Sequence, residues 1–250
     1  MSFANSQGDT PEVLFLTRVY RAMWMQYPST ESLYGVDDQY LIGDALLVKP
    51  VTAPGVTSSN VKFPTDDVWY DAESLVRITE KSKAGGVVEK AVSSDINTIP
   101  VFQRGGSVIT RKLRLRRSSY VMKKDPYTLY VALSGSKKAQ GLLYMDDEET
   151  FDHATQERYA LSTFDADFSQ PRCSIQCTVK VGAGWSGSLQ DMMADRMVER
   201  IIVMGVEKSP KSITVNGADI DFNYESGSKV LVLRKPNVST LKEWEIIVDL

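Results

Sequence analysis

The chain has 250 residues, of which 42% are hydrophobic and 24% are charged, a composition typical of globular proteins. The formal net charge of −3 gives no electrostatic reason to expect a nucleic acid or an anionic membrane as partner. The apolar runs are far shorter than the about 20 residues that cross a bilayer. Disorder, nucleic-acid binding and a membrane span are therefore not predicted.

The N-terminal stretch MSFANSQGDTPEVLFLTRVY lacks a basic region followed by an apolar core and a small-residue cleavage site. This chain itself therefore predicts no secretory leader. Residues 11–28 mix an apolar run with Arg18 and Arg21, and their periodicity fits a helix and a buried strand equally well.

Short strands separated by turn residues are predicted from residue 40 to residue 110. YLIGDALLVKPVT contains two of them, split at Gly43-Asp44. The next strand signals are VKFP, DVWYD, GVVEKAV, TIPVFQ and SVIT. Regular short strands with such turn signals predict an antiparallel β-sandwich.

The stretch IPVFQRGGSVI places two glycines between two strand signals. Glycine accepts a positive φ or a close backbone approach, so Gly105-Gly106 is predicted to be a turn. Arg104, just before the turn, is then either a solvated side chain or a fixed structural contact.

RKLRLRR, residues 111–117, alternates charged and apolar positions. As a strand, it would place Arg114 and Arg116 on one face and Leu113 and Leu115 on the other. A phosphate-binding patch is the sharper interpretation. We favour a solvated strand face, because no aromatic residues are interleaved with the arginines.

A second run of strand signals of about 120 residues follows, the size of one sandwich domain. Helix signal is weak, with SLQDMMADRM the best candidate. The strand signals are YTLYVAL, GLLYMD, RYALSTFDADF, CSIQCTVKV, MVERIIVMGV, SITVNG, KVLVLR and EWEIIVDL.

YMDDEETFDH, residues 144–153, is the densest carboxylate cluster. It lacks the sixth-position glycine and the alternating oxygens of a calcium loop. Adjacent strand residues point to opposite faces, so Asp146 and Asp147 cannot both flank one glycosidic bond. A polar turn is the favoured interpretation.

Other constellations that carry chemistry are weak. His153 is the only histidine, and no G-x-S-x-G elbow accompanies it, so a Ser-His-Asp triad is not predicted. Zinc spacing and the phosphate-binding glycine fingerprints are also missing. Cys173 and Cys177 lie about 13 Å apart on an extended strand and are expected to be free thiols. Asn237-Val238-Ser239 is a sequon, a pattern that often occurs by chance.

Several segments resemble the C-terminal third of glycoside hydrolase family 31 enzymes. These are DDQYLIGDALLVKPV, VWYD, IPVFQRGGSVI, RLRRSS, DPYTLYVAL and GLLYMDDEETF. The resemblance runs from about Arg21 to the C-terminus, is dense to Phe151, and then continues mainly in ERIIVMG and VLVLRKP. Residues 1–18 do not resemble the family.

The resemblance implies a mainly β chain in three parts. Residues 1–42 would be a remnant of the end of a (β/α)₈ catalytic barrel, residues 43–123 a proximal antiparallel β-sandwich, and residues 124–250 a distal one. Arg104 and the glycine turn would be structural or packed against the barrel, and the resemblance does not imply a direct contact with sugar.

The family consists of retaining glycosidases that need two carboxyl groups about 5 Å apart. The nucleophile motif W-x-D-M-N-E-P is absent from this sequence, so the catalytic aspartates would lie upstream. No residue of this chain is predicted to be catalytic, cofactor-binding or metal-binding, no cofactor is implied, and the isolated chain is expected to be inactive.

The partners implied by the resemblance are the upstream barrel and a β subunit. The intact enzyme would remove α-1,3-linked glucose from N-linked glycans in the endoplasmic reticulum lumen. Two departures from the family pattern stand out. Residues 21–24 read Arg-Ala-Met-Trp instead of Arg-Pro-Leu-Trp, and Glu148 replaces the glycine of Asp-Asp-Gly-x-Thr. Losing that glycine suggests that the turn tolerates φ < 0 at this position.

Two alternatives remain open at this point. A stand-alone sandwich that binds carbohydrate or protein would expose aromatic rings, and Trp69, Tyr70 and Trp185 are the candidates, although a core role is favoured for the first two. Alternatively, the chain does not fold alone, and the surface that faces the barrel promotes aggregation.

Overall fold

The structure, a computed structural model, describes residues 19–79 and 85–250. Within these ranges it consists mainly of strands, with three short α-helices, α1 Met23–Gln26, α2 Asp152–Thr155 and α3 Gly187–Met192, and two 3₁₀-helices, Glu31–Leu33 and Tyr120–Lys124. The first strands are β1 Tyr20–Ala22, β2 Tyr40–Ile42, β3 Leu46–Val48, β4 Ser58–Pro64, β5 Trp69–Asp71, β6 Arg77–Thr79, β7 Val87–Ser93, β8 Val101–Arg104 and β9 Ser107–Arg111. The others are β10 Tyr127–Ala132, β11 Lys138–Met145, β12 Ala160–Asp167, β13 Arg172–Val181, β14 Met197–Met204, β15 Ser212–Val215, β16 Ala218–Asp219, β17 Phe222–Glu225, β18 Val230–Ser239 and β19 Trp244–Asp249.

Six strands form the first sheet, in the order β1-β2-β3-β8-β5-β6. Because side chains alternate along a strand, Leu41, Leu47 and Phe102 all face one side. There they join a core with Met23 of α1 and Phe63 of β4, which pairs with β7 in a separate two-stranded sheet. The first sheet and this two-stranded sheet therefore enclose one apolar layer.

Eleven strands form the second sheet, in the order β16-β15-β19-β13-β12-β11-β9-β10-β14-β18-β17. Its two halves contribute to a single apolar core, where Ile175 and Ile246 from one half join Leu129, Ile201 and Leu231 from the other. The sheet is thus folded around its own core, as in a sandwich.

Most described strand pairs are antiparallel, as expected. Two pairs are parallel: β10 with β14 along its length, and β11 with β9 at a single position. β9 therefore lies in the second sheet, although it precedes residue 124. β2, before residue 43, pairs with β3, after it. The division at 42/43 and 123/124 stays a prediction.

The strand signals are confirmed, and α3 overlaps the first half of the predicted helical segment, residues 188–197, beginning one residue before it. The undecided segment 11–28 contains β1 and α1 in its described part, while residues 1–18 lie outside the described residues. β6, β16 and β17 were not predicted, because strands of two to four residues are too short to show an alternating pattern.

The prediction of a strand over residues 111–117 is wrong beyond Arg111, where β9 ends. Lys112 donates hydrogen bonds to the carbonyls of Met122 and Lys123. Arg114 forms an ion pair with Glu199 at 2.9 Å, and Arg116 forms one with Asp125 at 2.8 Å. These arginines bind carboxylates of the same chain. Such contacts outweigh the local alternation.

Among the described residues, no helix is both long enough and apolar enough to cross a membrane.

Candidate functional site: the junction between the two sheets

The glycine pair carries the chain from one sheet to the other. β8 belongs to the first sheet and β9 to the second, so Gly105-Gly106 is a crossing and not a hairpin. Gly106 has φ +96°, and a Cβ on Gly105 would lie 2.9 Å from the Leu133 carbonyl oxygen and 3.1 Å from Val68 Cβ. Only glycine fits at this point, because the two sheets approach each other there.

Arg104 is a fixed structural contact. Its Nη2 lies 3.1 Å from Asp44 Oδ2 and its Nη1 lies 3.5 Å from Asp67 Oδ2. The Tyr27 hydroxyl donates to Asp67 at 2.8 Å, and burial together with the Asp67 carboxylate raises the pKa of Tyr27 well above its ordinary value. This cluster ties α1 and the β2–β3 turn to the end of β8.

Hydrogen bonds connect the first sheet to the second sheet beside the crossing. Gln103 Nε2 donates to the Tyr130 carbonyl at 2.9 Å and to Ser107 Oγ at 3.1 Å, and all of these groups are buried. The Tyr70 hydroxyl donates to the Leu133 carbonyl at 2.8 Å. A Cβ at Gly205 would overlap that hydroxyl, so a glycine is required there as well.

An apolar cluster fills the space between the sheets. It contains residues from the first sheet and its loops, and residues from four strands of the second sheet. Its buried members are Ala45, Val68, Tyr70, Ile109, Tyr130, Ala132, Ile202, Met204 and Val230. We call this cluster, together with its polar contacts and the crossing, the junction.

Glu207 closes the junction at its solvent edge. It pairs with Arg77 of β6 at 3.0 Å, with Lys137 at 2.8 Å and with Lys229. The hydrogen bonds from Lys137 and Lys229, with Arg77 nearby, lower the pKa of Glu207 to about 2. One carboxylate thus connects the two sheets.

The aromatic candidates for sugar binding do not form a platform. Trp69 and Tyr70 are 0% and 1% exposed. Trp69 packs in the first core, and Tyr70 packs in the junction. Trp185 is partly buried against the core of the second sheet. The predicted core role of the first pair is confirmed.

The carboxylate cluster at residues 146–150 is a polar turn, as predicted. Asp147 accepts hydrogen bonds from the Thr150 hydroxyl and from the backbone N–H groups of Glu149 and Thr150. The bonds from Thr150 come first in lowering the pKa of Asp147 to about 2. The carboxylate is occupied in closing the turn, and the described residues contain no group of His, Cys, Asp and Glu arranged to hold a metal ion.

The expectation of φ < 0 in this turn is wrong. Glu148, at the position of the family's glycine, has φ +58°. Its side chain reaches the buried Arg196 at 2.9 Å. The backbone keeps the glycine-like conformation, and the ion pair offsets part of the cost of a side chain there.

His153 lies beside this turn and takes part in its packing. Its Nδ1 lies 3.6 Å from Asp146 Oδ2, and its ring meets that of Tyr144 edge-on. These two contacts join the histidine to a carboxylate and an aromatic ring, and this is not a Ser-His-Asp arrangement.

The two cysteines are free, as predicted, and both point into the core from β13. Burial raises the pKa of Cys173 to about 11 and that of Cys177 to about 12. Neither thiol is activated as a nucleophile.

Beside the junction, part of the first sheet's other face is open. A cavity of about 1210 Å³ lies between the two sheets, and its apolar lining includes Ile42, Val48, Ile99, Val101 and Ile109. We call this the open groove. Ile99 is 66% exposed there. Sequence reasoning missed both the junction and the groove, because each depends on residues far apart in the chain.

Comparison with known proteins gives one consistent result. Residues 17–109 match the family model described as the glycosyl hydrolase family 31 C-terminal domain. Neutral alpha-glucosidase AB of Dictyostelium discoideum is 38% identical over 239 residues, a match covering 93% of this chain and 23% of the relative. The chain thus spans about a quarter of the length of that relative.

Solved structures agree with this. The crystal structure of a glucosidase II alpha subunit in a Glc1Man2-bound form matches with a TM-score of 0.81 and 30% identity, over 95% of this chain and 27% of that one. A heterodimeric complex of endoplasmic reticulum glucosidase II, the catalytic subunit with the binding domain of the regulatory subunit, matches with a TM-score of 0.80 and 30% identity, over 95% of this chain and 26% of the other.

Proposed function

Since the chain belongs to glycosyl hydrolase family 31, as a C-terminal portion of longer relatives, we propose that it is the scaffold of an α-glucosidase of the glucosidase II type. The intact enzyme would hydrolyse α-1,3-linked glucose from N-linked glycans with retention, in the endoplasmic reticulum lumen. Its catalytic aspartates would lie in an upstream barrel, and a β subunit would be its partner. The solved heterodimeric complex supports the partner by analogy.

The observation that carries the scaffold role is the junction. A retaining site needs two carboxyl groups about 5 Å apart, held to within about 0.5 Å by the surrounding structure. The junction combines an apolar core, the Tyr70–Leu133 and Gln103–Tyr130 bonds and the Glu207 ion pairs. Such an interface makes the two sheets one firm support. Residues 1–42, 43–123 and 124–250 are proposed as the barrel end, the proximal sandwich and the distal sandwich.

We assign the open groove to the flank of the barrel. Its lining is mostly aliphatic, and a surface of this kind usually marks an interaction site. β2 and β3, which contribute Ile42 and Val48, belong to the same sheet as β1, and β1 lies within residues 1–42, the segment predicted to be the end of the barrel.

The first test uses the purified chain with p-nitrophenyl α-glucoside. We expect no steady glucose release, and steady release would overturn the assignment of chemistry to an upstream segment. In parallel, an antibody against residues 97–130 should detect a natural polypeptide several times the 27.9 kDa of this chain. A band at the size of the chain alone would contradict the proposal.

The second test separates the groove from the rest of the scaffold. In the full-length enzyme, Ile99→Glu places a charge in the groove and is expected to lower both the melting temperature and the α-glucosidase activity. Ile96→Glu is the matched control, because Ile96 is 98% exposed and does not line the groove. Equal melting temperatures and activities of the two variants would contradict the assignment of the groove to the barrel, but not the scaffold role.

No specific observation favours a stand-alone binding sandwich. Trp69 and Tyr70, which would have to be exposed for stacking on sugar rings, are buried.

A further inference from the structure

Asn237 begins the sequon Asn-Val-Ser, which the scaffold role does not use. It is the only asparagine of the 250-residue sequence that is followed by any residue except proline and then by serine or threonine. Such a sequence is the acceptor signal for N-linked glycans in secretory proteins. The question is whether the folded chain has room for a glycan at this position.

The backbone turns Asn237 outward. β18 pairs with β14 through Arg234↔Arg200 and resumes at Val238↔Val198, with a register shift between Val198 and Arg200. Residues 235–237 of β18 therefore lie opposite a single residue of β14. Within them, Lys235 and Asn237 both have φ +50°. A bulge of this kind bends the strand and re-aims a side chain. Asn237 is exposed, whereas Val238 beside it is buried in the core.

The edge of the sheet is also open here. β17, the outer neighbour of β18, pairs with it only from Val230 to Leu233. Residues 234–239 therefore have β14 on one side and no described strand on the other. Among the described residues, the Asn237 side chain makes no hydrogen bond that a glycan would have to break.

A shallow cavity of about 440 Å³ adjoins Asn237. Gln190, Asn216 and Lys242 line it with polar side chains, and Asp191 and Glu243 line it with carboxylates. Trp244 also borders the cavity but is only 5% exposed, so its ring offers no stacking surface. Amide, ammonium and carboxylate groups are hydrogen-bond partners for sugar hydroxyl groups, so the cavity leaves polar room beside Asn237.

We propose that Asn237 carries an N-linked glycan. In the transfer, the Asn237 amide nitrogen forms a bond to the anomeric carbon of a lipid-pyrophosphate-linked oligosaccharide. The bond from that carbon to the pyrophosphate oxygen breaks, the lipid pyrophosphate leaves with the electron pair, and the amide loses one proton. The inference rests on the proposed function, because it requires the lumenal compartment.

The test uses the natural polypeptide from its source cells. The protein is treated with a peptide N-glycosidase in heavy-oxygen water and digested with trypsin, which releases residues 235–242, KPNVSTLK. We expect Asn237 to be converted to aspartate carrying the heavy-oxygen label. An unlabelled, unmodified peptide would overturn the inference.

Two variants at Ser239 supply the matched control. Ser239→Ala destroys the sequon and should abolish the label, whereas Ser239→Thr preserves it and should keep the label. The Ser239 hydroxyl accepts a hydrogen bond from the Leu241 N–H, which Ser239→Ala also removes. Asn237→Gln changes only an exposed side chain, and it should lower the mass of the intact polypeptide by the same glycan mass as Ser239→Ala does, which shows that the loss is not a folding defect.

The same material separates the two proposals. A large polypeptide with α-glucosidase activity and an unmodified Asn237 contradicts the glycan and leaves the proposed function standing. A short, inactive polypeptide contradicts the proposed function itself.

Discussion

Glu148 shows how one residue can keep a conformation that its own chemistry disfavours. Its φ of +58° is the left-handed conformation, which costs a residue with a Cβ about 1–2 kcal/mol. The hydrogen bonds of the turn impose this conformation. Asp146 Oδ1 accepts a hydrogen bond from the Glu148 N–H at 2.8 Å, and Asp147 Oδ1 accepts one from the Glu149 N–H. The ion pair with Arg196 gives the side chain a role there.

A pair of variants at Glu148 isolates this backbone cost. Glu148→Ala and Glu148→Gly both remove the ion pair, but only glycine relieves the left-handed strain. We expect Glu148→Gly to be more stable than Glu148→Ala by about 0.5–1 kcal/mol in urea unfolding. The order should reverse at Glu149, which has no positive φ; glycine ranking below alanine at both positions would contradict the explanation.

Arg104 is the residue-scale contact on which the crossing depends. Its side chain is only 19% exposed and lies between two carboxylates that are similarly covered. Arg104→Ala leaves those charges partly buried without a counter-ion. We expect a loss of about 3–5 kcal/mol in the free energy of unfolding.

The control for Arg104 is Lys138, which pairs with Asp167 on the surface and is 58% exposed. Lys138→Ala should change the free energy of unfolding by at most about 1 kcal/mol. If chemical denaturation gave similar losses for the two variants, the Arg104 cluster would be no more than a surface ion pair.

At the scale of elements, the same residue type makes two different turns. Gly43 has φ +60° and joins β2 to β3 in a hairpin. Gly105 and Gly106 also separate two strands, yet those strands pair with others. The difference lies in Leu133 and Val68, which press on Gly105 and belong to segments remote in sequence.

Gly105→Ala tests the crossing. A methyl group would meet the Leu133 carbonyl and Val68, and both residues are buried, so overpacking should cost about 1–3 kcal/mol. Gly187→Ala is the matched control, because nothing lies within 4 Å of its added Cβ. It should change stability by no more than about 0.5 kcal/mol in the same denaturation experiment. A Gly105→Ala variant as stable as the control would show that the sheets can separate at this point.

For the whole molecule, Glu207 links the two sheets electrostatically. Its pKa is lowered to about 2, mainly by the hydrogen bonds from Lys137 and Lys229, whereas an unfolded glutamate titrates near about 4.3. A depressed folded pKa contributes stability that is fully present above about pH 4.3 and is lost as the pH falls through about 2.

Glu207→Gln should therefore flatten the acid side of the stability curve. Between about pH 5 and pH 2 the variant should lose less free energy of unfolding than the unchanged chain does. Asp219→Asn, in an exposed strand and outside the ion pairs of the described residues, should leave the slope as it is. An unchanged slope in Glu207→Gln would mean that the carboxylate does not couple the sheets.

The sequence by itself determined the kind of element and the family. Alternation with period two marked most strands, and IPVFQRGGSVI with DPYTLYVAL carried the resemblance that the comparisons confirm. It also singled out Arg104, but did not decide whether its side chain is solvated or makes a fixed structural contact.

Only the tertiary structure decided which sheet each strand joins, that Arg104 is an ion-paired contact, and that RKLRLRR leaves the strand after Arg111. It also showed that Glu148 keeps a glycine conformation. The reason is physical: a strand's period reports only its own two faces. Which strands it pairs with depends on contacts with residues far away in the chain. Leu133, Asp44 and Glu207 make such contacts, and the local pattern around each strand does not reveal them.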